Sequence, residues 1–324
     1  MKAYVYGANG AEITDVAKPA PKGVQVLVRV RACGLNRADL GMTKGHAHGS
    51  AGGAGTVLGM EWAGEIAEVG PEAKGVKVGD RVMGSGGAAF AEYTLADHGR
   101  LFHIPANANM SYEDAATLPV ALATMHNAVV TNGALQPGQS VLIQGASSGV
   151  GLMALQIAKL KGAKTVIGSS TDATRRGRLN EFGADLAVDS SDPGWVDQVL
   201  KATNGEGVDL IVDQVSGPVA SQNLKATRIK GRIVNVGRLG GTHADFNFDL
   251  HAARRINYIG VTFRTRSIEE IREIFGEVRK DIWGAVESRK LQLPIDKVFA
   301  FADIGKAFEH MEANKHLGKI VVTL

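Results

Sequence analysis

The chain has 324 residues, about twice what one compact domain of ~100 to 200 residues takes, so two domains are expected and a short binding module is excluded. Hydrophobic residues at 44% and charged residues at 21% describe a globular protein with large cores, not a disordered one. Thirty-six Lys and Arg against 33 Asp and Glu leave a net charge of +3, too weak and dispersed to mark a nucleic-acid or membrane surface, and the single cysteine, Cys33, excludes an intramolecular disulfide or a Cys-rich metal site and points to the cytoplasm.

The N-terminal MKAYVYGANGAEITDV lacks a basic segment followed by an apolar run, and no stretch of ~18 apolar residues occurs, so no targeting signal or membrane span is expected. From Val24 to Cys33, VQVLVRVRAC sets Val24, Val26, Val28 and Val30 on one face and Gln25, Arg29 and Arg31 on the other, the period of a half-buried strand. EIAEVG, DRVMG and AEYTLA follow, separated by Gly, Pro or Asp, and together these short strands predict a β-barrel-like domain over about residues 1–118.

A helical stretch from Pro119 to about Thr131 opens a different pattern: VLIQG as a strand, VGLMALQIAKLKG as a helix, KTVIGSS as a strand, TRRGRLNEFG as a helix, then strands at LAVD, VDLIVDQV, GRIVNVG and NYIGVTF. Strands alternating with helices of this length predict a doubly wound parallel sheet over residues 119–263, so the chain as a whole is α/β. Residues 264–324 hold a helix, SIEEIREIFGEVRKDIWGAVES, and a final apolar strand, KIVVTL, and are expected to return to the first domain.

The segment VLIQ-GASSGVG-LMALQIAKLKGAK places a glycine-rich turn between a buried strand and a helix, which is the context a dinucleotide-binding turn requires. Gly145 and Gly149 permit the tight turn, Gly151 permits close helix-to-strand packing, and Ala146 and Ser148 stand where a strict GxGxxG has its first two glycines. Ser147 and Val150 complete the turn, whose helix N-terminus offers free N–H groups to a pyrophosphate. At the end of the second strand, where a carboxylate would bond the ribose of NADH, the chain has Ser170 and Thr171, followed by Arg175, Arg176 and Arg178. A hydroxyl and a guanidinium suit a 2′-phosphate, so NADPH is the expected cofactor and Arg175 its expected partner.

CGLNRADL (33–40), GMEWAGEIAEVG (59–70), VGDRV (78–82), AEYTLAD (91–97), AATLPVALAT (115–124), GASSGVG and the terminal GKIVVTL occur in the order found in one family. On these motifs the chain resembles, nearly end to end, the medium-chain dehydrogenase/reductase superfamily, and within it the zinc-free, zeta-crystallin-like quinone oxidoreductases. The resemblance implies a GroES-like β-barrel catalytic domain joined to a Rossmann domain, and a homodimer paired through an edge strand at residues 257–263. It adds Gly237 and Lys319 to the cofactor-binding set. Relatives that use zinc carry ligands at positions corresponding to Asn36, Met60 and Val120, so no metal is expected here, and Glu61 is expected to bond within the fold.

Without a Lewis acid, deprotonating an alcohol is poorly supported, whereas hydride transfer to an electron-poor quinone or enone needs chiefly placement and a hydrogen bond to the developing oxyanion. The resemblance makes Asn36 and Thr124 the catalytic candidates: Asn36 bonds the acceptor or the nicotinamide ribose, or else caps the helix that follows, and Thr124 contacts the nicotinamide, or else bonds its own helix backbone. His126 is either a proton relay or a packed helical residue. Relatives that reduce quinones carry tyrosines just after the Asn-containing motif; here LGMTKGHAHGSAGGAGTV has none, which leaves the acceptor poorly specified. The rival readings are an enoyl-thioester reductase of the same superfamily and a structural or RNA-binding protein with little turnover.

Overall fold

The computed structural model describes residues 1–49 and 51–324. They divide into two compact units, residues 1–123 with 263–324 and residues 124–262. The division falls at 123/124, five residues beyond the expected 118/119, because the helix Pro119–His126 runs across that point.

The first unit opens with a hairpin of β1 (Lys2–Gly7) and β2 (Gly10–Asp15), which strand periodicity does not distinguish from a leading loop. It continues through β3 (Gln25–Gly34), β4 (Glu61–Val69), β5 (Arg81–Ser85), β6 (Tyr93–Asp97) and β7 (Leu101–His103). The second unit holds β8 (Ser140–Gln144), β9 (Thr165–Ser169), β10 (Leu186–Val188), β11 (Val208–Asp213), β12 (Thr227–Asn235) and β13 (Asn257–Gly260). Two last strands, β14 (Ile295–Ala300) and β15 (Lys319–Thr323), rejoin the first unit, giving a seven-stranded sheet ordered β14-β15-β3-β4-β5-β7 with β6 also on β3.

Burial explains that return. Ile304, Ala307, Phe308 and Met311, spaced three and four apart on the helix Ile304–Glu312, pack with Val26, Val28, Val30, Trp62, Phe90, Ile320 and Val322 in one core. The preceding helix, Ile268–Asp281, starts at a capping box of Ser267 and Glu270 and buries Ile271, Ile274, Phe275 and Val278. It stops at Ile282, and a separate short helix, Trp283–Glu287, replaces the single long one expected.

In the second unit all six strands are parallel and ordered β10-β9-β8-β11-β12-β13, the 3-2-1-4-5-6 order of a dinucleotide-binding sheet. TRRGRLNEFG does not form one helix: Gly177 separates a turn of helix, Ala173–Arg176, from the 3₁₀ turn Leu179–Phe182. The helix at 119 ends at His126 and passes into a π-type segment, Asn127–Asn132. The last strand is four residues long, not seven: the Val261 N–H still bonds Asn235 O at 3.0 Å, and strand pairing ends there. No helix among the described residues is long and apolar enough to cross a membrane.

Candidate functional site

Three strands of the parallel sheet, β8, β9 and β11, end in the polar residues Gln144, Ser169 and Asp213, which are linked through Asn223 on the helix Ala220–Ala226. Ser169 Oγ donates to Gln144 Oε1 (2.6 Å), Gln144 Nε2 to Asn223 Oδ1 (2.9 Å), and Asn223 Nδ2 to Asp213 Oδ2 (3.1 Å). Asp213 Oδ1 accepts from the N–H groups of Val215 and Ser216 at 2.8 and 2.9 Å. Burial pushes the Asp213 carboxyl up, while these donors pull it back. A buried chain of satisfied bonds thus fixes the ends of β8, β9 and β11, where the loops begin. Sequence reading missed Gln144, Ser169, Asp213 and Asn223; the available signal for the first three was a polar residue closing an apolar strand, while Asn223 lies on the helix Ala220–Ala226 and carried none.

The glycine turn is built on that chain. Gly145 has φ +70° and donates its N–H to Ser169 Oγ (3.0 Å), and Ala146, fully buried, donates to Ser169 O (2.8 Å). Ser148 caps the helix Gly149–Leu160: its Oγ accepts from Gly151 N (3.1 Å) and lies 2.9 Å from Gly145 O and 3.1 Å from Gln214 Oε1. A Cβ on Gly151 would lie 2.6 Å from Gly145 O and 2.7 Å from Ala146 Cα, and one on Gly237 would lie 2.6 Å from Gln214 O. Both glycines therefore permit backbone packing that no other residue allows. The first-turn amides of Gly149 and Val150 lack intrahelical acceptors, so the turn fits a pyrophosphate.

Ser170 follows β9 and is 5% exposed, with Oγ 3.0 Å from Ser147 Oγ. Its carbonyl accepts from Arg176 Nη1 (2.8 Å), whose guanidinium also pairs with Asp189 (2.9 Å). Arg178 pairs with Glu181 (2.9 Å). Arg175 Nε is 3.6 Å from Asp172 Oδ1, a longer contact, beside the exposed Thr171. Asp189, which shares Arg176 with the Ser170 carbonyl, is a carboxylate that sequence reading did not single out; Arg176 neutralises it and Ser191 bonds it.

In the first unit, Asn36 stands just past β3 at the start of the helix Arg37–Met42, and its N–H donates to Asp39 Oδ2 (2.8 Å). The shortest contacts of its side chain lead elsewhere. Nδ2 donates to Glu61 Oε2 (2.9 Å) and, more weakly, to Gly34 O (3.4 Å), while Oδ1 accepts from Lys319 Nζ (3.0 Å). Lys319 also donates to Glu61 Oε2 (3.0 Å). Lys319, expected among the cofactor contacts, is thus turned inward at 4% exposure between Asn36 and the fully buried Glu61. Asp39, also buried, has its carboxyl pushed up to about 7 by desolvation, against the pull of the Asn36 N–H and Lys319. Glu61 is likewise raised by burial and pulled back by Lys319 and Asn36.

Other singled-out residues are placed plainly. Cys33 is buried with Sγ 3.0 Å from Ala89 O, and burial raises its thiol far above the reactive range. His126 is buried, and Thr124 lies half-buried in the same helix, in the second unit. His46 is exposed and His48 half-buried, its pKa lowered by burial and by Arg264. Among the described residues no group of three His, Cys, Asp or Glu side chains is placed to hold a metal. Asn36 and Glu61 are committed to Lys319 and to each other, and Met60 offers a thioether packed on the core, so this donor set does not fit zinc.

A parallel sheet in this order, with a glycine turn closed by a capped helix, is the architecture of a dinucleotide-binding domain, here on a chain that also carries a mainly antiparallel seven-stranded sheet. Comparison with known proteins agrees: residues 22–106 match the alcohol dehydrogenase GroES-like domain and residues 149–279 the zinc-binding dehydrogenase family. The chain belongs to the medium-chain dehydrogenase/reductase superfamily. A solved alcohol dehydrogenase superfamily protein from Novosphingobium aromaticivorans is 31% identical, with a TM-score of 0.89 over 100% of this chain and 99% of that one. Quinone oxidoreductase-like protein 2 of Bos taurus is 29% identical over 95% of this chain and 88% of its own length. The highly reducing polyketide synthase gloL of Glarea lozoyensis is 30% identical over 93% of this chain, which spans only 12% of that much longer protein. The CurK enoyl reductase structure is 26% identical with a TM-score of 0.87, covering 99% of both chains.

Proposed function

We propose that this oxidoreductase is a metal-independent, NADPH-dependent reductase of quinones and other α,β-unsaturated carbonyl compounds. The observation that carries the reading is the Asn36–Glu61–Lys319 cluster: where zinc-dependent relatives place a metal ligand, this chain has an amide bonded to a buried ion pair. Such a cluster can donate a hydrogen bond but cannot act as the Lewis acid that alcohol oxidation needs.

The Gly149 and Val150 amides would bind the pyrophosphate, and Ser170, Thr171 and Arg175 the 2′-phosphate, while Gly145, Ala146, Ser147, Ser148, Gly151 and Gly237 shape the backbone around it. NADPH, when bound, supplies a hydride from its nicotinamide. Asn36 donates its weakly held second amide hydrogen to the acceptor's carbonyl oxygen, where negative charge develops, and Thr124 contacts the nicotinamide side. Conjugation in the acceptor spreads that charge, so this one donor and correct placement suffice.

The likeness to a polyketide synthase and to the CurK enoyl reductase favours a second reading, an enoyl-thioester reductase with the same cluster and cofactor. Both readings are of a cytoplasmic homodimer joined along β13. Activity with a benzoquinone, measured before and after exhaustive dialysis against chelator and paired with metal analysis, tests metal independence. Unchanged turnover is expected; about one zinc per chain, with activity lost on its removal, would overturn it.

A further inference from the structure

Lys319 and Glu61 are buried ionisable groups to which the hydride-transfer reading gives no part. We infer that they form a positioning device for Asn36, holding its amide in one of the two orientations that are nearly identical in shape; the inference rests on the proposed role of Asn36.

The register of the sheet brings them together. Glu61 is the first residue of β4 and pairs with Gly34, while Lys319 opens β15, whose Val321 also pairs with Gly34. Gly34 lacks the Cβ that would lie 3.0 Å from Glu61 Oε1 and 2.3 Å from Ala116 O, and this omission opens the space the carboxylate occupies. Two residues on, Asn36 presents its side chain to both partners.

An amide turned by 180° exchanges its oxygen and nitrogen with almost no change in volume, so packing alone does not choose between the two states. Charge does. In the observed state the ammonium faces Oδ1 at 3.0 Å and the carboxylate faces Nδ2 at 2.9 Å. Turned over, the N–H groups would meet the ammonium and the oxygen would meet the carboxylate, two repulsive contacts away from water. In the observed state the second N–H makes the long 3.4 Å contact to Gly34 O, and Asn36 is half-buried, so this hydrogen is the one offered to an acceptor. Lys319 and Glu61 thereby add the charge that holds the half-buried amide with its N–H, and not its oxygen, toward the reacting carbonyl.

The test is a double variant, Glu61→Gln with Lys319→Met, which removes both charges at similar volume and puts at position 61 an amide able to accept or donate. In ¹⁵N-asparagine-labelled protein, the Asn36 side-chain amide, assigned by its loss in Asn36→Asp, should give one well-separated pair of proton signals in the wild type and doubled or broadened signals in the double variant. Turnover with a benzoquinone should fall roughly 10- to 100-fold, as for a misplaced catalytic group, with KM for NADPH unchanged. In an Asn36→Ala background the same double change should leave turnover where Asn36→Ala alone put it, and Lys319→Arg should keep the single set of signals. If the double variant fails to fold, Glu61→Asp, which withdraws the carboxylate by one methylene, carries the same spectroscopic comparison. Unaltered Asn36 signals, or an equal loss of turnover in the Asn36→Ala background, would overturn the inference. Full turnover in Asn36→Ala would instead overturn the role given to Asn36 itself, which the amide signals do not depend on.

Discussion

Asp39 shows how one buried side chain sets a property of the whole fold. Its carboxyl titrates at about 7 in the folded protein, against ~3.9 in an unfolded chain, so between those values the folded state holds a proton that the unfolded state has lost. Stability is therefore greatest at the acid end of this window, falls as pH rises through it by up to about 1.4 kcal/mol per unit, and levels off above 7. Urea unfolding between pH 5 and 8 should show that slope, reduced in Asp39→Asn, with Glu61 contributing a remainder of the same sign. An Asp39→Asn profile parallel to that of the wild type would contradict the assignment. Lys319 gives a second prediction: Lys319→Met alone leaves Glu61 buried without its cation and should cost about 3–5 kcal/mol in chemical denaturation, while adding Glu61→Gln should recover most of it. At the ribose end, Ser170→Asp should repel a 2′-phosphate and accept from a 2′-hydroxyl, reversing a preference for NADPH. Arg175→Ala should weaken NADPH roughly 10- to 150-fold, the equivalent of a charge-assisted bond of about 1.5–3 kcal/mol, and leave NADH nearly unchanged. Kd values for both cofactors decide this, and a wild type that favours NADH would contradict it.

Elements were legible in the sequence where one residue type controls the backbone. VLIQ-GASSGVG declared strand, turn and helix, because Gly145 at positive φ and the packing of Gly151 tolerate no substitute. Gly151→Ala would press a Cβ onto three backbone atoms, and a cost of about 1–3 kcal/mol, read as a lower Tm, should accompany weaker NADPH binding. The parallel sheet was legible from the alternation of strands with helices, and the helix at 268 from the run SIEEIREIFGEVRKDIWGAVES, though not its break at Ile282. Elements whose form depends on distant partners were not. The hairpin β1–β2 was not singled out, because the periodicity of GAEITD is weak and its pairing with Lys2–Gly7 is what makes it a strand. TRRGRLNEFG has helical composition, yet Asp172, Asp189 and Glu181 claim its three arginines in separate directions around Gly177. In the site, Asn36 stood out by its motif, but its partners Glu61 and Lys319 lie 25 and 283 residues away, and only the register of β4 and β15 on Gly34 joins them.

At the scale of the molecule, the exposed surface beside β13 supports the proposed dimer. Tyr258 on that edge strand is 37% exposed and Phe248 76%, and Phe246 meets both edge to face with ring centroids 5.7 and 5.0 Å away. An unpaired edge flanked by exposed aromatic rings calls for cover, which a second copy paired strand to strand would supply. Sedimentation should find a dimer at micromolar concentration and a monomer for Tyr258→Glu combined with Phe248→Glu; a wild-type monomer would contradict the proposal. The chemistry itself is tested most directly by NADPH oxidation in chelator-treated protein across a panel of quinones, enones, enoyl thioesters and, in reverse with NADP⁺, simple alcohols. The account predicts kcat/KM values for conjugated acceptors far above those for alcohols. Turnover confined to alcohols and restored by added zinc would contradict it.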